Sequence, residues 1–513
     1  MKKEYVIKKI EENCLVLNNP KPEELREIAK PNETTTQYGS ASYVSKIRNR
    51  SAKKTFIVPE VELGIKQIQI EEKETEELAE KVLDYLKDKE LIQMDKTMCS
   101  NSDYELACRL YTTKENAKLP FMWNFMLFPS KKKEPELISI HVPEWPETKI
   151  FCYPKQGITF CLGSDYFGEV KKSFLRMTMF YHKIHSKGLG FHAGSKSLTV
   201  KDKEGKLKEV GMIMFGLSGT GKTTLTIHDH GLQGEEKTSI RQDDVVLMDE
   251  KGFCAGTEFG FFIKTEGLDS SQKVLYDAAV KPSAIFENVK IKENGIIDFN
   301  DFELTSNGRG VLPRDSVKGA GKEVDLKKAD KIIFITRRED IVPVIAKLNA
   351  EQAAAFFMLG ESIETSAGDP SKAGQSKREV GTNPFIVGKE AEEGNRLLEI
   401  LKNNPDIECF LMNTGGIGRT GFGKGKNISI KLSTDVMKFI AKGTIKWKKD
   451  KYWNYLVPEG ITGFDFSEFG SEKYYSKEEF EEKTEALRKE RIEWLKQFPE
   501  LKKEILEAVQ AKE

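Results

Sequence analysis

The chain has 513 residues, and its 81 lysines and arginines balance its 81 aspartates and glutamates, so the formal net charge is zero. This length predicts two or three domains, and the balanced charge excludes a global positive field that would hold nucleic acid. The sequence contains no apolar signal core and no run of about 18 apolar residues, so it favours a cytoplasmic protein without a membrane span. Its seven cysteines are scattered without a C-x-x-C pair, which argues against a zinc ribbon or a disulfide framework. We therefore expect a reduced protein that acts on small molecules.

Residues 1–205 are predicted to form an N-terminal α+β domain. Apolar residues recur at three- and four-residue spacing within residues 61–87, which indicates an acidic amphipathic helix. Short apolar runs at residues 122–128, 137–142 and 158–162 alternate with proline and lysine clusters and are typical of a mixed sheet.

The end of this domain leads from a helix into a glycine-rich break. Residues 173–187 carry Phe and Met at helical spacing, and two glycines then interrupt the pattern ahead of His192. His192 therefore lies at the start of a strand or in a loop, where a histidine is either a ligand or an ordinary buried side chain. The charged turn at residues 200–210 is a suitable start for a second domain, which we predict over residues 206–513.

A glycine-rich loop follows an apolar run of strand character. From Gly216 to Thr223 the sequence has the pattern Gly-x-x-x-x-Gly-Lys-Thr, and a helix is predicted from Leu225. Such a loop directs backbone N–H groups and a helix dipole at phosphate oxygens, so it predicts a nucleoside triphosphate site, with an accidental turn as the alternative. We expect Lys222 to reach the terminal phosphates and the Thr223 hydroxyl to bind magnesium. The predicted nucleotide-binding residues of the loop are Gly216, Leu217, Ser218, Gly219, Thr220, Gly221, Lys222, Thr223 and Thr224.

Two adjacent aspartates, Asp243 and Asp244, lie beside a β-branched run about twenty residues after this loop. Carboxylates at such a place can hold magnesium or its waters opposite the phosphate loop. Adjacent aspartates are also common in turns, and the sequence pattern leaves both interpretations open.

The remainder of the chain alternates between strands and helices. A continuous apolar strand is predicted at residues 332–335, a helix at 350–360 and a second strand at 408–412, which together indicate an α/β domain. Residues 366–381 would suit a flexible lid or a long exposed loop. Residues 415–425 could form a second phosphate cradle, although a mobile loop is the favoured interpretation.

The C-terminal segment, from about residue 446, is predicted to end in a helix. Ser476 and Glu479 form a capping box, and apolar residues then face one way until Pro499. We interpret this helix as a packing element, with a partner surface as the minor alternative.

Several segments together resemble one known family. Phe215-Gly-Leu-Ser-Gly-Thr-Gly-Lys-Thr-Thr-Leu is similar to the phosphate loop of the ATP-dependent phosphoenolpyruvate carboxykinases. Further segments resemble motifs of that family in the same order: Asn49-Arg-Ser-Ala-Lys, Tyr166-Phe-Gly-Glu-Val-Lys-Lys, Gly190-Phe-His-Ala-Gly-Ser, Glu258-Phe-Gly-Phe-Phe-Ile-Lys, Glu287-Asn-Val, Asn307-Gly-Arg, Leu348-Asn-Ala-Glu-Gln and Asn413-Thr-Gly. The chain is identified as a divergent member. The resemblance implies an α/β, two-domain fold with a P-loop nucleotide-binding C-terminal domain and an active-site cleft between the domains.

The resemblance also implies a reaction. The family decarboxylates oxaloacetate and phosphorylates the enolate from ATP, which gives phosphoenolpyruvate, carbon dioxide and ADP. A dicarboxylate and a triphosphate repel each other, so the site needs cations around both. By the resemblance, Arg50 would bind the substrate carboxylate, Tyr166 would lie at the oxaloacetate or carbon dioxide position, and Lys171 is a further candidate for that pocket.

The resemblance implies two metal ions as cofactors beside ATP and ADP. Lys172, His192 and Asp244 would ligate a manganese ion that stabilises the enolate oxygen. A lysine ligates only as the neutral amine, so Lys172 would need a lowered pKa. On the nucleotide side, Thr223 would hold magnesium and Asp243 its water.

The remaining implied contacts concern the phosphoryl group and the base. Lys264 and Arg309 would contact the transferring phosphoryl group, where positive charge stabilises a loose transition state. The base would lie near Asn427, Ile428 and Ser433.

Four features depart from the family pattern, and one of them is the stretch at residues 366–381, which matches the family's lid poorly. The family's Gly-Asp-Asp-Glu-His is replaced by Gln242-Asp-Asp-Val-Val, which changes the surroundings of the acids. Asn427 stands where the family has an arginine that contacts the nucleotide near the base, and Asn307-Gly-Arg replaces Asn-Thr-Arg. These changes affect base choice and the support of the metal, and they remove no implied catalytic residue.

Two alternatives to a carboxykinase remain. The first is a kinase of the same fold that phosphorylates another small acid or a protein hydroxyl. The second is a nucleotide-binding regulator without turnover, which the intact Lys222 and Thr223 disfavour. The predicted partners are oxaloacetate, phosphoenolpyruvate and carbon dioxide, with no nucleic acid and no membrane, in a monomer or small homo-oligomer.

Overall fold

A computed structural model of the chain describes residues 1–217, 219–363, 375–419, 425–461 and 464–510. Three predicted features fall partly or wholly outside these ranges: Ser218, the first part of the 366–381 loop and the middle of the 415–425 loop. In the described part of the chain, no helix is both long and apolar enough to cross a membrane.

The structure mixes many short strands with helices of moderate length. The described strands are β1 (Leu15–Asn18), β2 (Glu33–Thr35), β3 (Ala41–Tyr43), β4 (Thr55–Ile57), β5 (Ile68–Gln69), β6 (Glu90–Met98), β7 (Leu106–Thr113), β8 (Phe128–Pro129), β9 (Leu137–Val142), β10 (Lys149–Tyr153), β11 (Ile158–Leu162), β12 (Leu189–Phe191), β13 (Ala193–Lys201), β14 (Leu207–Gly216), β15 (Lys237–Gln242), β16 (Val246–Met248), β17 (Cys254–Gly256), β18 (Phe261–Lys264), β19 (Ile285–Glu287), β20 (Lys290–Ile291), β21 (Ile297–Asp298), β22 (Arg309–Leu312), β23 (Lys331–Thr336), β24 (Ile345–Leu348), β25 (Glu361–Ile363), β26 (Ser376–Arg378), β27 (Glu408–Asn413), β28 (Gly416–Ile417), β29 (Lys426–Asn427), β30 (Ile445–Lys449) and β31 (Leu456–Ile461). The described α-helices are α1 (Lys3–Asn13), α2 (Pro22–Ala29), α3 (Glu72–Leu86), α4 (Lys118–Asn124), α5 (Phe167–His185), α6 (Lys222–Ile227), α7 (Lys273–Ala279), α8 (Ala350–Leu359), α9 (Glu390–Asn403), α10 (Ile430–Lys442), α11 (Lys477–Leu495) and α12 (Lys503–Glu507).

The chain divides into two compact units. The first unit comprises Met1–His185, Ala255–Val324 and Phe385–Lys389. It contains a mixed nine-stranded sheet in the order β1-β6-β7-β9-β11-β10-β4-β5, with β8 on β6, and a five-stranded sheet in the order β18-β22-β19-β3-β2. The second sheet places Lys264 of β18 opposite Arg309 of β22, which in turn lies opposite Glu287 of β19.

Strands β7, β9 and β11 are buried along their whole length. Strands covered on both faces carry continuous apolar runs, which is why the runs at 137–142 and 158–162 predict β9 and β11 with the correct ends. The α3 helix covers one face through Ala79, Val82 and Leu86, and α5 packs against β9.

The prediction of a strand at residues 122–128 is wrong at its start. Residues 122–124 form the end of α4, and only Phe128 enters a strand, β8. Helix α4 is buried on nearly all sides, and Trp123 stacks on Phe174 of α5 with ring centroids 4.7 Å apart. A short apolar run buried all round has no periodicity that separates helix from strand, so tertiary packing decides its conformation.

The second unit comprises Ser186–Cys254, Asp325–Pro384 and Glu390–Glu513. Its eight-stranded sheet has the order β15-β13-β14-β23-β27-β24-β31-β30, with β14, β23 and β27 parallel and the flanking strands antiparallel. Helices α6 and α10 pack against β13, and α8 packs against α9, α11 and β27.

The predicted elements of this unit are present. Strands β23 and β27 cover residues 332–335 and 408–412, and α8 begins at Ala350 and ends at Leu359, before Gly360 in the left-handed region at φ 44°. Residues 202–206, where the sequence analysis places a domain boundary, form the turn between β13 and β14. The mixed α/β class with several sheets agrees with the predicted fold class.

Candidate active site

The glycine-rich loop joins β14 to α6. Strand β14 ends at Gly216 and α6 begins at Lys222, three residues before the predicted start at Leu225. The helix begins early because Gly221 supplies the turn in the left-handed region, with φ 92° at that residue and φ 84° at Gly219. The Thr220 hydroxyl donates to the Leu217 carbonyl at 2.8 Å, which closes the loop on itself.

The loop has no space for larger side chains at its start. A Cβ atom at Gly216 would lie 2.4 Å from the Thr220 hydroxyl oxygen, so this position requires glycine. Lys222 and Thr223 are the first two residues of α6, where their side chains follow directly from the loop.

Three predicted site residues of the second unit meet beside this loop. His192 lies between β12 and β13, and its Nε2 is 2.9 Å from Asp244 Oδ1 and 3.4 Å from Lys222 Nζ. The other ring nitrogen, Nδ1, contacts the Thr382 carbonyl at 2.7 Å. Because a carbonyl only accepts, Nδ1 carries the proton and donates to the Thr382 carbonyl, while Nε2 faces the Asp244 carboxylate and the Lys222 amine.

The aspartate pair follows the end of a strand. Strand β15 ends at Gln242, and Asp243 is buried while Asp244 is half-buried. An imidazole nitrogen next to a carboxylate oxygen is a donor set that suits a divalent manganese ion. Among the described residues, no group of three or more His, Cys, Asp or Glu side chains converges, so a complete ligand set would need a donor of another type. The amine of Lys172 is the donor that the resemblance implies.

The first unit holds the residues predicted for the carboxylate side. Helix α5 begins at Phe167, earlier than the predicted 173, so Tyr166 directly precedes it. The Tyr166 hydroxyl accepts from Asn307 Nδ2 at 3.2 Å, and Asn307 Oδ1 accepts from Arg309 Nη2 at 2.6 Å. Burial raises the pKa of Tyr166, and the Arg309 charge opposes part of that shift. Tyr166 and Arg309 therefore belong to one hydrogen-bonded chain.

Arg50 and Lys172 share one aromatic ring. The Arg50 guanidinium carbon is 4.4 Å and Lys172 Nζ is 4.8 Å from the centroid of Phe385. Cations over an aromatic face are attracted by its quadrupole, so the ring gathers two predicted site residues that lie far apart in sequence. The Ser51 amide, next to Arg50, donates to Glu169 Oε1 at 2.5 Å and fixes the backbone there. Phe385 is not among the predicted site residues, and no local sequence pattern marks it.

Two predicted cations are engaged by carboxylates of the first unit. Lys171 Nζ is 2.5 Å from Glu258 Oε2, and both side chains are about 1% exposed. This buried pair ties α5 to the segment before β18. Lys264, at the end of β18, contacts Glu266 and lies opposite Arg309 in the sheet.

The residues predicted near the base differ in exposure. Asn427 is exposed, and its Oδ1 accepts from Arg419 Nη1 at 3.0 Å. Ile428 is buried in the core, and the Ser433 hydroxyl, also buried, donates to the Ser429 carbonyl at 3.3 Å. Arg419 is a further cation beside Asn427 that the sequence analysis missed.

A buried polar network holds the start of α5. Glu287 Oε1 accepts from the Ser45 hydroxyl at 2.6 Å and from the Phe167 amide at 2.9 Å. Lys118 Nζ donates to the Ser45 hydroxyl at 2.8 Å and to Asp165 Oδ2 at 3.1 Å. Burial raises the pKa of Glu287 to about 7 although Lys118 opposes the shift. The motif Glu-Asn-Val hints at this network, whose geometry comes from distant segments.

A buried lysine holds the other end of α6. Lys196 of β13 is fully buried, and its Nζ donates to the Leu225 carbonyl, the His228 carbonyl at 3.1 Å and His230 Nε2. His230 Nδ1 in turn contacts the Thr434 carbonyl at 2.9 Å, so Nδ1 is protonated and Nε2 accepts. Three acceptors thus match the three donors of the ammonium group, although burial lowers the pKa of Lys196.

Comparison with known proteins shows the family of this chain. The family model described as phosphoenolpyruvate carboxykinase matches residues 15–467. The chain is 35% identical to the phosphoenolpyruvate carboxykinase (ATP) of Aeropyrum pernix over 71% of this chain and 72% of that protein. It is 27% identical to the protein of the same name from Rhizobium rhizogenes, over 75% and 72%, and 26% identical to that from Christiangramia forsetii, over 81% and 79%. The chain therefore belongs to the phosphoenolpyruvate carboxykinase family.

Proposed function

We propose that this chain is an ATP-dependent phosphoenolpyruvate carboxykinase. It decarboxylates oxaloacetate and phosphorylates the resulting enolate from ATP, which gives phosphoenolpyruvate, carbon dioxide and ADP in a reversible reaction. The observation that carries the proposal is the meeting of His192, Asp244 and Lys222, 2.9 and 3.4 Å apart, beside the glycine-rich loop. This contact supports the proposal that His192 and Asp244 bind a metal next to the lysine that would reach the terminal phosphate. Family membership and the names of the relatives support the same reaction.

The phosphate side of the proposed site belongs to the second unit. Backbone amides of residues 216–224 would cradle the triphosphate, and Lys222 would neutralise charge that develops on the transferring group. Thr223 at the start of α6 would hold magnesium through its hydroxyl, with Asp243 holding a water of that ion. The nucleotide-binding role of this loop is part of the proposal, together with the P-loop domain at 206–513.

The carboxylate side belongs to the first unit. The planar Arg50 fork suits a carboxylate, and its contact with Phe385 orients it before substrate arrives. Tyr166 would contact the oxaloacetate or carbon dioxide oxygen through the hydroxyl that Asn307 already orients. Lys264 and Arg309 would supply positive charge to the phosphoryl group. This charge is needed because the negative charges of the phosphoryl group and of the substrate carboxylate repel each other, by about 4 kcal/mol for two unit charges about 4 Å apart near a protein surface.

His192, Asp244 and the neutral amine of Lys172 would hold manganese, which when bound stabilises negative charge on the enolate oxygen. The protonated Nδ1 of His192 keeps Nε2 available for that role. The proposed cofactors are therefore ATP or ADP with manganese and magnesium. The cytoplasmic location, the oligomeric state and the boundary at residue 205 stay predictions.

A coupled assay tests the proposal directly. Purified protein with manganese and magnesium is supplied with oxaloacetate and, in parallel, ATP, GTP or pyrophosphate, and phosphoenolpyruvate formation is followed. We expect turnover with ATP and a loss of turnover in Arg50→Lys and Lys222→Ala. Phosphorylation of another acceptor, with no phosphoenolpyruvate from oxaloacetate, would overturn the proposal.

Such a result would favour a kinase of the same fold acting on another small acid or a protein hydroxyl. The observations that keep this candidate are Asn427 in place of the family's arginine and the stretch at residues 366–381, which matches the family poorly. A kinase of that kind should retain its activity in Arg50→Lys, whereas a carboxykinase should not.

A further inference from the structure

A basic surface pocket lies in the first unit, where the segment after β1 meets β6, β7 and the segment after β8. Its volume is about 610 Å³. None of the proposed active-site residues lines it. Its cationic lining residues are Lys21, Lys96, Arg109, Lys131, Lys132 and Lys133.

Lys96 is the central cation of this pocket. Its side chain extends from β6 and is only 6% exposed, and its Nζ donates to Asn124 Oδ1 at 2.8 Å. In the part of the chain that the structure describes, no carboxylate lies within 4.0 Å of this ammonium group. Burial lowers the pKa of Lys96 to about 8, which reflects how poorly the protein itself compensates the charge.

The surrounding charges do not balance either. Asp95 is the sole acidic residue of the lining, and its Oδ1 accepts from Arg109 at 2.6 Å. Lys132 pairs with Glu136 at 2.9 Å. Three further lining lysines have no carboxylate within 4.0 Å among the described residues: Lys21, Lys131 and Lys133. A protein whose total charge is zero thus concentrates four uncompensated ammonium groups at one pocket.

The walls of the pocket are built by hydrogen bonds. Asn19 Nδ2 donates to Asp95 Oδ2 at 2.9 Å, and the Asp95 amide donates to Asn19 Oδ1 at 2.6 Å. Arg109, which is bonded to Asp95, donates from Nη2 to the Lys133 carbonyl at 2.9 Å. Asp95 and Arg109 therefore act as a brace that holds the segments carrying Lys21 and Lys133, and a ligand would meet a preorganised site.

We propose that this pocket binds a small phosphoryl compound with two or more negative charges, such as a phosphate ester or a polyphosphate. Separate ammonium groups on three segments suit charge spread over several oxygens, whereas a single carboxylate would engage one or two of them. The volume lies within the range of small-molecule sites, about 300 to 1,000 Å³. A bound anion would provide the compensation that Lys96 lacks.

Calorimetric titration with inorganic pyrophosphate tests the site. Every protein carries Lys222→Ala, because the glycine-rich loop also fits phosphates. Lys96→Met, which keeps the volume and removes the charge, should bind pyrophosphate at least about tenfold more weakly, as expected for the loss of one charge-assisted hydrogen bond. The triple variant K21Q/K131Q/K133Q should lose a similar or larger factor.

The matched control is K446Q/K448Q/K449Q, which removes the same three charges from exposed positions of β30. It should change pyrophosphate affinity by less than about twofold at moderate salt, because screened charges act weakly over distance. Equal losses in the two triple variants would overturn the proposal by assigning the binding to overall charge. Citrate binding as tightly as pyrophosphate would also overturn it, since the phosphoryl class would then be wrong.

Two controls distinguish weaker pyrophosphate binding from unfolding of the variant and from loss of catalysis. Circular dichroism checks Lys96→Met, and if that variant unfolds, the exposed triple variant decides the question. With an intact Lys222, the Lys96→Met enzyme should form phosphoenolpyruvate at the unmodified rate when no pyrophosphate is present. A failed carboxykinase assay leaves this prediction untouched, and unchanged pyrophosphate affinity in both pocket variants overturns only the pocket.

Discussion

The glycine-rich loop and the carboxylate-side cluster hold their side chains by different means. The loop residues are consecutive, and their path depends on Gly219 and Gly221 at positive φ. Arg50, Tyr166 and Arg309 are each separated by more than 100 residues, and each side chain contacts another segment of the chain: Phe385, Asn307 and Phe262, respectively. Local backbone conformation therefore determines the geometry of the loop, and tertiary packing determines the geometry of the carboxylate-side cluster.

The difference has consequences for substitutions. A change in the loop should affect phosphate contacts while the rest of the fold persists, because the path of the loop is set by its own backbone at Gly219 and Gly221. A change in the buried network around Glu287 should affect stability as well, because its partners Ser45 and Phe167 come from distant parts of the first unit. The loop side also has one tertiary contact of this kind, because Lys196 of β13 donates to the Leu225 carbonyl of α6.

The largest effect is expected for Lys222→Ala. The variant removes the positive charge that we propose stabilises the transferring phosphoryl group, so it should lower kcat by about a thousandfold. The melting temperature should stay within about 2 °C of the unmodified protein, because the Lys222 side chain is half-buried and lies outside the buried core. Lys237→Ala, at an exposed position of β15, is the control. A Lys222→Ala protein that kept its activity would show that the loop does not hold the reacting phosphates.

Glu287→Gln should change how stability depends on pH. Burial raises the pKa of Glu287 from its ordinary 4.5 to about 7 in the folded protein. A carboxyl whose folded pKa is raised contributes stability that is present below about pH 4.5 and is lost as the pH rises to about 7, by up to about 3 kcal/mol. Glutamine can accept the same two hydrogen bonds without a charge, so the variant should lose less melting temperature than the unmodified protein between pH 5 and pH 8.

Glu33→Gln provides the opposite case in the same sheet. Although burial opposes the shift, hydrogen bonds from Arg26 and Lys30 lower the pKa of Glu33 to about 2. Its contribution is present above about pH 4.5 and is lost only as the pH falls toward 2, so Glu33→Gln should keep the unmodified pH dependence between pH 5 and pH 8. If the melting temperatures of Glu287→Gln and of the unmodified protein fell equally between pH 5 and pH 8, the raised pKa of Glu287 would be contradicted.

The third prediction concerns His192 and Asp244, whose loss should lower the rate much more than the affinity for ATP. His192→Ala and Asp244→Ala should each lower kcat by about a hundredfold, because both belong to the proposed metal at the enolate. ATP affinity, measured by calorimetry, should change by less than about threefold. His185→Ala, at the exposed end of α5, is the matched control. Equal losses of kcat and of ATP affinity in His192→Ala would show that His192 contributes to nucleotide binding and not to the metal at the enolate.

The sequence predicts the loop side better than the carboxylate side for a physical reason. The turn glycines and the strand before them are consecutive, so a local pattern contains the geometry, and the buried runs of β9 and β11 are visible for the same reason. The role of Phe385 depends on a short segment that joins the first unit although its neighbours in sequence belong to the second. Local sequence does not encode such a contact. The apolar run at residues 122–128 predicts a strand where α4 ends, because this helix is buried on nearly all sides and shows no helical periodicity.

The smallest effect is expected for Arg419, whose side chain contacts Asn427 and Glu339. Asn427 stands in place of the family's arginine, and the Arg419 guanidinium contacts it at 3.0 Å while also pairing with Glu339 at 3.1 Å. We predict that Arg419 supplies the cation that position 427 lacks. The Arg419 side chain is 45% exposed, so solvent screening limits its effect, and Arg419→Ala should raise KM for ATP by about threefold to fivefold without changing kcat.

The compensating variant makes this prediction specific. Asn427→Arg introduced into Arg419→Ala should restore KM for ATP, because it returns a guanidinium to the same place from the other side of the β28–β29 pair. Lys426→Ala, next to Asn427 and paired with Glu468 at 3.0 Å, should leave KM unchanged. If Arg419→Ala and Lys426→Ala raise KM equally, the effect comes from general positive charge near the loop, and Arg419 has no role specific to position 427.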